Sequence, residues 1–194
     1  MLVSDNDPFT TFESWYSAAK RTEPDVPDAM QLATCLGGRP SVRTVLLKDY
    51  GRDGFQFFTN AGSRKGQELV ANPYAATVFH WKSQQQQVRI EGQVAVETSA
   101  LSDAYFASRD RASQIGAWAS NQSAPMPDRA TLEAAVARYT AQFEGKSVAR
   151  PPGWGGFRIH PDRFEFWQGR PNRLHDRLAF VRGGGGWAVV RLGP

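Results

Sequence analysis

The C-terminal stretch RLHDRLAFVRGGGGWAVVRL, Arg173–Leu192, decides the fold. Its two halves, RLHDRLAFVR and WAVVRL, read as strands. The four glycines at 183–186 supply the positive φ angles that a tight turn needs, so the pair reads as an antiparallel hairpin. If the first half is strand from its start, Arg173, His175 and Arg177 share one face, with Leu174 and Asp176 on the other. Three such side chains on one face repel unless an anionic or electron-rich partner lies against them.

Upstream, more strand-like runs are separated by turn residues: AMQLATCL (29–36), SVRTVLLKDY (41–50), GFQFFTN (54–60), YAATVFHW (74–81), QQVRIEGQVAVE (86–97), FRIHP (157–161) and RFEFWQG (163–169). Helices are expected over 8–21, after the Asp7-Pro8 start signal, and over 63–73, stopping near Asn72-Pro73. A further helix is expected from a Ser102-Asp103 cap to about Ser108, and a short one in ASQIGAWAS. A longer helix over 128–144 carries Leu132, Val136, Tyr139 and Phe143 on one stripe. Seven or eight strands joined mostly by short turns predict a mainly β fold, an antiparallel barrel decorated by helices, in one domain over 1–194. Strands and helices do not alternate as a doubly wound parallel sheet requires.

Composition narrows the function. Hydrophobic residues make up 41% and aromatics 12%, which fits a globular chain. A net charge of +4 suits anionic small molecules, and the basic residues are too scattered to argue for nucleic acid. The single Cys35 allows no internal disulfide and fits a reducing cytoplasm. The opening MLVSDND lacks the layout of a signal peptide, and no apolar run approaches a membrane span. His80, His160 and His175 have no metal-ligand spacing, so no metal is expected. No nucleophile elbow or P-loop is present, which leaves a bound organic cofactor as the source of reactivity.

Several stretches could serve it. In TNAGSRKGQEL, Ser63 can cap a helix whose first turn holds Arg64 and Lys65. A phosphate there would relieve cations set against the helix dipole, and a solvated helix start is the alternative. In SVRTVLLKDY, Arg43 and Lys48 fall on opposite faces, as rim residues of a cavity or as snorkelling surface cations. Tyr105, Arg109 and Ser113 lie at i, i+4 and i+8. On one continuous helix they form a phosphate cup, which a break near Asp110 would spoil. Gln85 and Gln87 share a face in SQQQQVRIEG, and Trp167 faces away from Phe164 and Phe166 in FEFWQG.

Taken in order, RTVLLK, FFTNAGSRKGQEL, SRDRASQIGAWAS-x-QS, WGGFR, FEFWQG, RLHDR and the closing RLGP resemble the pyridoxine/pyridoxamine 5′-phosphate oxidase family. The resemblance implies an FMN-binding split β-barrel and a homodimer with two flavin sites at the subunit interface. It implies that Arg43, Arg64 and Lys65, with Thr59 nearby, hold the FMN phosphate and that Gln87 contacts the flavin ring. Gln122 and Ser123 would reach FMN from the partner subunit, and Trp167 and Arg177 would complete that site. Lys48, Tyr105, Arg109 and Ser113 would bind the substrate phosphate, with the catalytic Arg173 and His175 against the pyridine ring. The implied reaction oxidises a vitamin B6 phosphate with O2 as electron acceptor. Relatives often carry a longer N-terminal segment with Arg and Tyr that folds over the substrate. Residues 1–7 hold neither type, so weaker closure is expected. Val26, where relatives often have a polar or acidic residue, is expected to alter substrate affinity. Other readings are a related flavoprotein with a phenazine-type substrate and a non-enzymatic flavin or pyridoxal-phosphate carrier.

Overall fold

A computed structural model describes residues 7–194; the reading of residues 1–6 lies outside them. Asp7 caps helix α1 (Pro8–Thr22) by accepting the Phe9 N–H, and Pro8 takes the first helical position. The strands are β1 (Ala29–Leu36), β2 (Arg39–Leu46), β3 (Asp49–Gly51), β4 (Gly54–Asn60), β5 (Tyr74–Trp81), β6 (Gln86–Val96), β7 (Trp154–Gln168), β8 (Asp176–Gly183) and β9 (Gly186–Leu192). Helix α2 (Arg64–Ala71) follows β4, and α3 (Ser99–Ser108), α4 (Arg111–Ala119) and α5 (Arg129–Gln142) lie between β6 and β7. All strand pairs are antiparallel, in the order β2-β1-β5-β6-β7-β4-β3, with the β8–β9 hairpin beside β7.

β7 organises this sheet. FRIHP and RFEFWQG, expected as separate strands, form one 15-residue strand. Its first part pairs with β4 and its last part with β8, while β6 runs beside most of it. A register shift at Glu91/Gly92 absorbs Pro161, whose missing N–H is tolerated at a bulge. Gly92 is required there, because a Cβ would lie 2.1 Å from the His160 carbonyl oxygen. The hairpin closes at the expected place, with Gly183 paired to Gly186, but of the four glycines only Gly186 takes a positive φ (127°).

Aromatic rings dominate the core. Phe12, on the inner face of α1, is fully buried and meets Tyr16, Tyr50, Phe55, Phe79 and Trp81. Removing its ring in Phe12→Ala should cost about 3–5 kcal/mol of stability, read as a lowered denaturant midpoint.

Five local expectations change. β8 starts at Asp176, and the preceding Pro171–Arg173 is a 3-10 turn with Asn172 and Arg173 at φ 58° and 60°. Strand alternation therefore does not place Arg173 and His175 with Arg177. β2 ends at Leu46, so Lys48 lies between strands and does not share a strand face with Thr44 and Leu46. Thr98, not Ser102-Asp103, caps α3. Gln85 is left-handed, so β6 alternation begins only at Gln86. The α5 stripe is incompletely covered: Tyr139 and Phe143 pack on Trp118 of α4, while Val136 is exposed. Among the described residues, no helix is long and apolar enough to cross a membrane.

Candidate active site

A cavity of about 930 Å³ opens between β2, the start of α2 and the α3–α4 junction. It gathers Arg43, Lys48, Thr59, Arg64, Lys65, Tyr105, Arg109, Ser113, Gln122 and Ser123.

Thr59 and Asn60 end β4. The chain then turns tightly into α2, where the Ser63 hydroxyl accepts the Gly66 N–H. Gly66 permits the turn, since a Cβ would lie 2.4 Å from the Ala61 carbonyl oxygen. This closeness sinks Lys65 into the protein at 7% exposure. Its ammonium donates to Thr59 Oγ1 (3.1 Å) and Ser63 Oγ (3.4 Å), and among the described residues no carboxylate pairs with it. Burial, and then the neighbouring Arg43 charge, lower its pKa. Thr59 in turn donates to Gln122 Oε1 (3.1 Å), which also accepts the Asn60 N–H. Gln122 and Ser123 thus line the same protomer's cavity as Arg64 and Lys65, whereas the resemblance implied that they reach in from a partner.

Arg43 and Arg64 are tied to a residue the sequence reading missed. Glu68, on α2, is buried at 4% exposure and receives Arg64 Nε at 2.9 Å and Arg43 Nη2 at 3.1 Å. Thr34 and Ser41 donate to it as well, and these hydroxyls above all depress its pKa to about 2. The sign follows: this carboxylate's contribution is complete above the ordinary carboxylate range and fades as pH falls toward 2. Its signal in the sequence was the i, i+4 spacing from Arg64.

The two separate helices expected here form, with a break near Asp110: Arg109 ends α3 and Asp110 caps α4, so Tyr105, Arg109 and Ser113 do not share one continuous helix. The three residues still meet at the cavity, since the break itself turns Arg109 inward. Tyr105 stacks on Phe58 with ring centroids 3.9 Å apart. The Arg109 guanidinium lies 4.9 Å over Trp154 and 5.6 Å over Phe106, and its Nη1 is buried with no hydrogen-bond partner. A desolvated N–H left unpaired is costly, and among the described residues nothing offsets that cost at this atom. Trp154 opens the WGGFR motif but was assigned no role in the sequence reading. Lys48 is 3.4 Å from Asp28.

The remaining predicted residues lie elsewhere on the protomer. Trp167 and His175 border a second hollow of about 450 Å³, their ring centroids 4.6 Å apart and their planes tilted by 45°. His175 Nδ1 accepts the Arg170 N–H, and Gln87 sits opposite His80 and Trp167 in the strand register. Arg173 is exposed. Arg177 is bound to the buried Glu165 at 2.8 Å and to the Gly193 carbonyl.

This architecture and these motifs have close parallels. A family profile described as pyridoxamine 5′-phosphate oxidase matches residues 18–143, and one described as the pyridoxine 5′-phosphate oxidase C-terminal dimerisation region matches 154–194. The pyridoxine/pyridoxamine 5′-phosphate oxidase of Sphingopyxis alaskensis is 54% identical over 97% of this chain and 88% of its own length. That of Caulobacter vibrioides is 54% identical over 100% and 87%. Among solved structures, PhzG from Burkholderia lata, in complex with tetrahydrophenazine-1-carboxylic acid, superposes with a TM-score of 0.91. It is 32% identical over 98% of this chain and 94% of its own. A pyridoxamine 5′-phosphate oxidase-related, FMN binding protein from Nostoc punctiforme shares the fold at 17% identity, with a TM-score of 0.75 over 97% and 98%. The antiparallel split barrel, the two adjoining profile matches and full-length identity above one half together establish that the chain belongs to the pyridoxine/pyridoxamine 5′-phosphate oxidase family.

Proposed function

We propose that the protein oxidises pyridoxine or pyridoxamine 5′-phosphate to pyridoxal 5′-phosphate, with FMN as cofactor and O2 as acceptor. The observation that carries this reading is one cavity with two cations, Lys65 and Arg109, that have no carboxylate partner among the described residues. Two phosphorylated molecules satisfy them. Lys65, with Arg43, Arg64 and Thr59, suits the FMN phosphate, aided by Gln122 and Ser123; Arg109, with Lys48, Tyr105 and Ser113, suits the substrate phosphate. When bound, FMN supplies the hydride acceptor for the substrate C4′ and passes the electrons to O2, giving hydrogen peroxide.

The chain's own part is binding and orientation. Anchoring the substrate phosphate at Arg109 provides remote binding energy that fixes the pyridine ring in one pose. Gln87, Trp167, Arg173, His175 and Arg177 lie outside this cavity, and all but Gln87 fall in the segment matched to the dimerisation region. In a homodimer the partner's copies of these residues close over the cavity, Arg173 and His175 against the substrate ring and Trp167 and Arg177 against the flavin. This divides the site differently from the resemblance as first applied, which drew Gln122 and Ser123 from the partner.

A phenazine-type substrate is less well supported. The Sphingopyxis alaskensis and Caulobacter vibrioides oxidases are 54% identical to this chain and PhzG 32%, and such a substrate leaves the Arg109 cup without a phosphate. The test is to purify the yellow protein and add pyridoxamine 5′-phosphate without oxygen. Bleaching of the flavin band, reversed by air, is expected. A band that persists supports a carrier or another substrate, and a colourless protein that FMN cannot reconstitute removes the flavin reading.

A further inference from the structure

Resting on the phosphate reading of the cavity, we infer that Glu68 is a positioning residue of the cofactor site: one buried carboxylate orients the two arginines and leaves Lys65 as the unpaired charge. The geometry is specific. Oε1 receives Arg64 from its own helix, and Oε2 receives Arg43 from β2 together with Thr34 of β1 and Ser41 of β2. Arg43 is further held by the Leu32 carbonyl and the Thr34 and Ser41 hydroxyls. A single anion thereby joins α2 to two strands and fixes two guanidinium groups on the cavity wall.

Charge balance supports the same role. Arg43, Arg64 and Lys65 against Glu68 leave a surplus of two positive charges, the complement of a phosphate monoester dianion. Without the carboxylate, three cations would crowd one wall and repel, and the two arginines would lose the anchor that sets their direction. Glu68 need not touch the cofactor; it acts through the arginines.

Flavin-free protein titrated with FMN and with riboflavin, which lacks the phosphate, tests this by flavin fluorescence. Wild type should bind FMN far more tightly than riboflavin, and equal affinities would overturn the phosphate reading itself. Glu68→Ala should weaken FMN by roughly 10- to 100-fold and change riboflavin by no more than about twofold. Glu68→Gln keeps the side-chain shape and decides the matter if the alanine variant does not fold. It should weaken FMN by about 3- to 10-fold, again with riboflavin unmoved. Unchanged FMN affinity in the folded variants, or an equal loss for both flavins, overturns the positioning role.

Discussion

Replacing Arg109 with alanine should lower kcat/KM for pyridoxamine 5′-phosphate by roughly 30- to 1,000-fold, about 2–4 kcal/mol, with FMN still bound. The guanidinium is held in advance, over the faces of Trp154 and Phe106, with Nη1 buried and free of protein acceptors. Little ordering remains to be done when a phosphate arrives, so the charge-assisted bond is realised almost in full. No carboxylate of the described residues pairs with Arg109, so its removal strands no opposite charge, and the fold should persist. Activity with unphosphorylated pyridoxamine is the control. It should be low in both proteins and change little, because the lost interaction is with the phosphate. Steady-state rates of peroxide release measure both substrates.

Lys65→Ala should weaken FMN by roughly 30- to 150-fold, about 2–3 kcal/mol, while substrate binding in the reconstituted enzyme stays near normal. Wild-type Lys65 is buried, donates only to Thr59 and Ser63, and has its pKa lowered by burial and by Arg43. A phosphate beside it favours the ammonium form and raises that pKa. Binding is therefore linked to proton uptake on the alkaline side, and FMN affinity should fall as pH rises through the lowered lysine pKa. That alkaline decline should begin below the range of an ordinary lysine and vanish in Lys65→Ala. Fluorescence titrations across pH measure both effects.

How much of this was readable in the sequence depended on whether a feature was local. The strand runs over 29–36, 54–60 and 74–81 fall where alternation and turn residues placed them, and the glycine hairpin closes as expected. Local pattern failed where tertiary pairing overrides it. Pro161 suggested a strand end, yet β7 continues through it because β6 accommodates the irregularity with a register shift. RLHDR alternates like a strand, but the left-handed Asn172 and Arg173 keep its first half in a turn.

The cavity residues were found by type and motif, and of the two geometries weighed for Tyr105, Arg109 and Ser113 the break near Asp110 is the one that forms. They converge through the very break that should have separated them. The role of Trp154 and the Thr34 and Ser41 contacts of Glu68 were out of reach for a different reason. Their partners lie on other elements, such as Arg109 at the end of α3 for Trp154 of β7, and no period of helix or strand encodes that adjacency.

In the proposed function one cavity takes two phosphates in each protomer and is closed by the C-terminal segment of the other. A crystal structure with FMN and pyridoxal 5′-phosphate bound tests it most directly. The expected result has one phosphate on Arg43, Arg64 and Lys65, the other on Lys48, Tyr105, Arg109 and Ser113, and Trp167 and His175 arriving from the partner. Either phosphate bound elsewhere, or a cavity left uncovered by a second protomer, would contradict it.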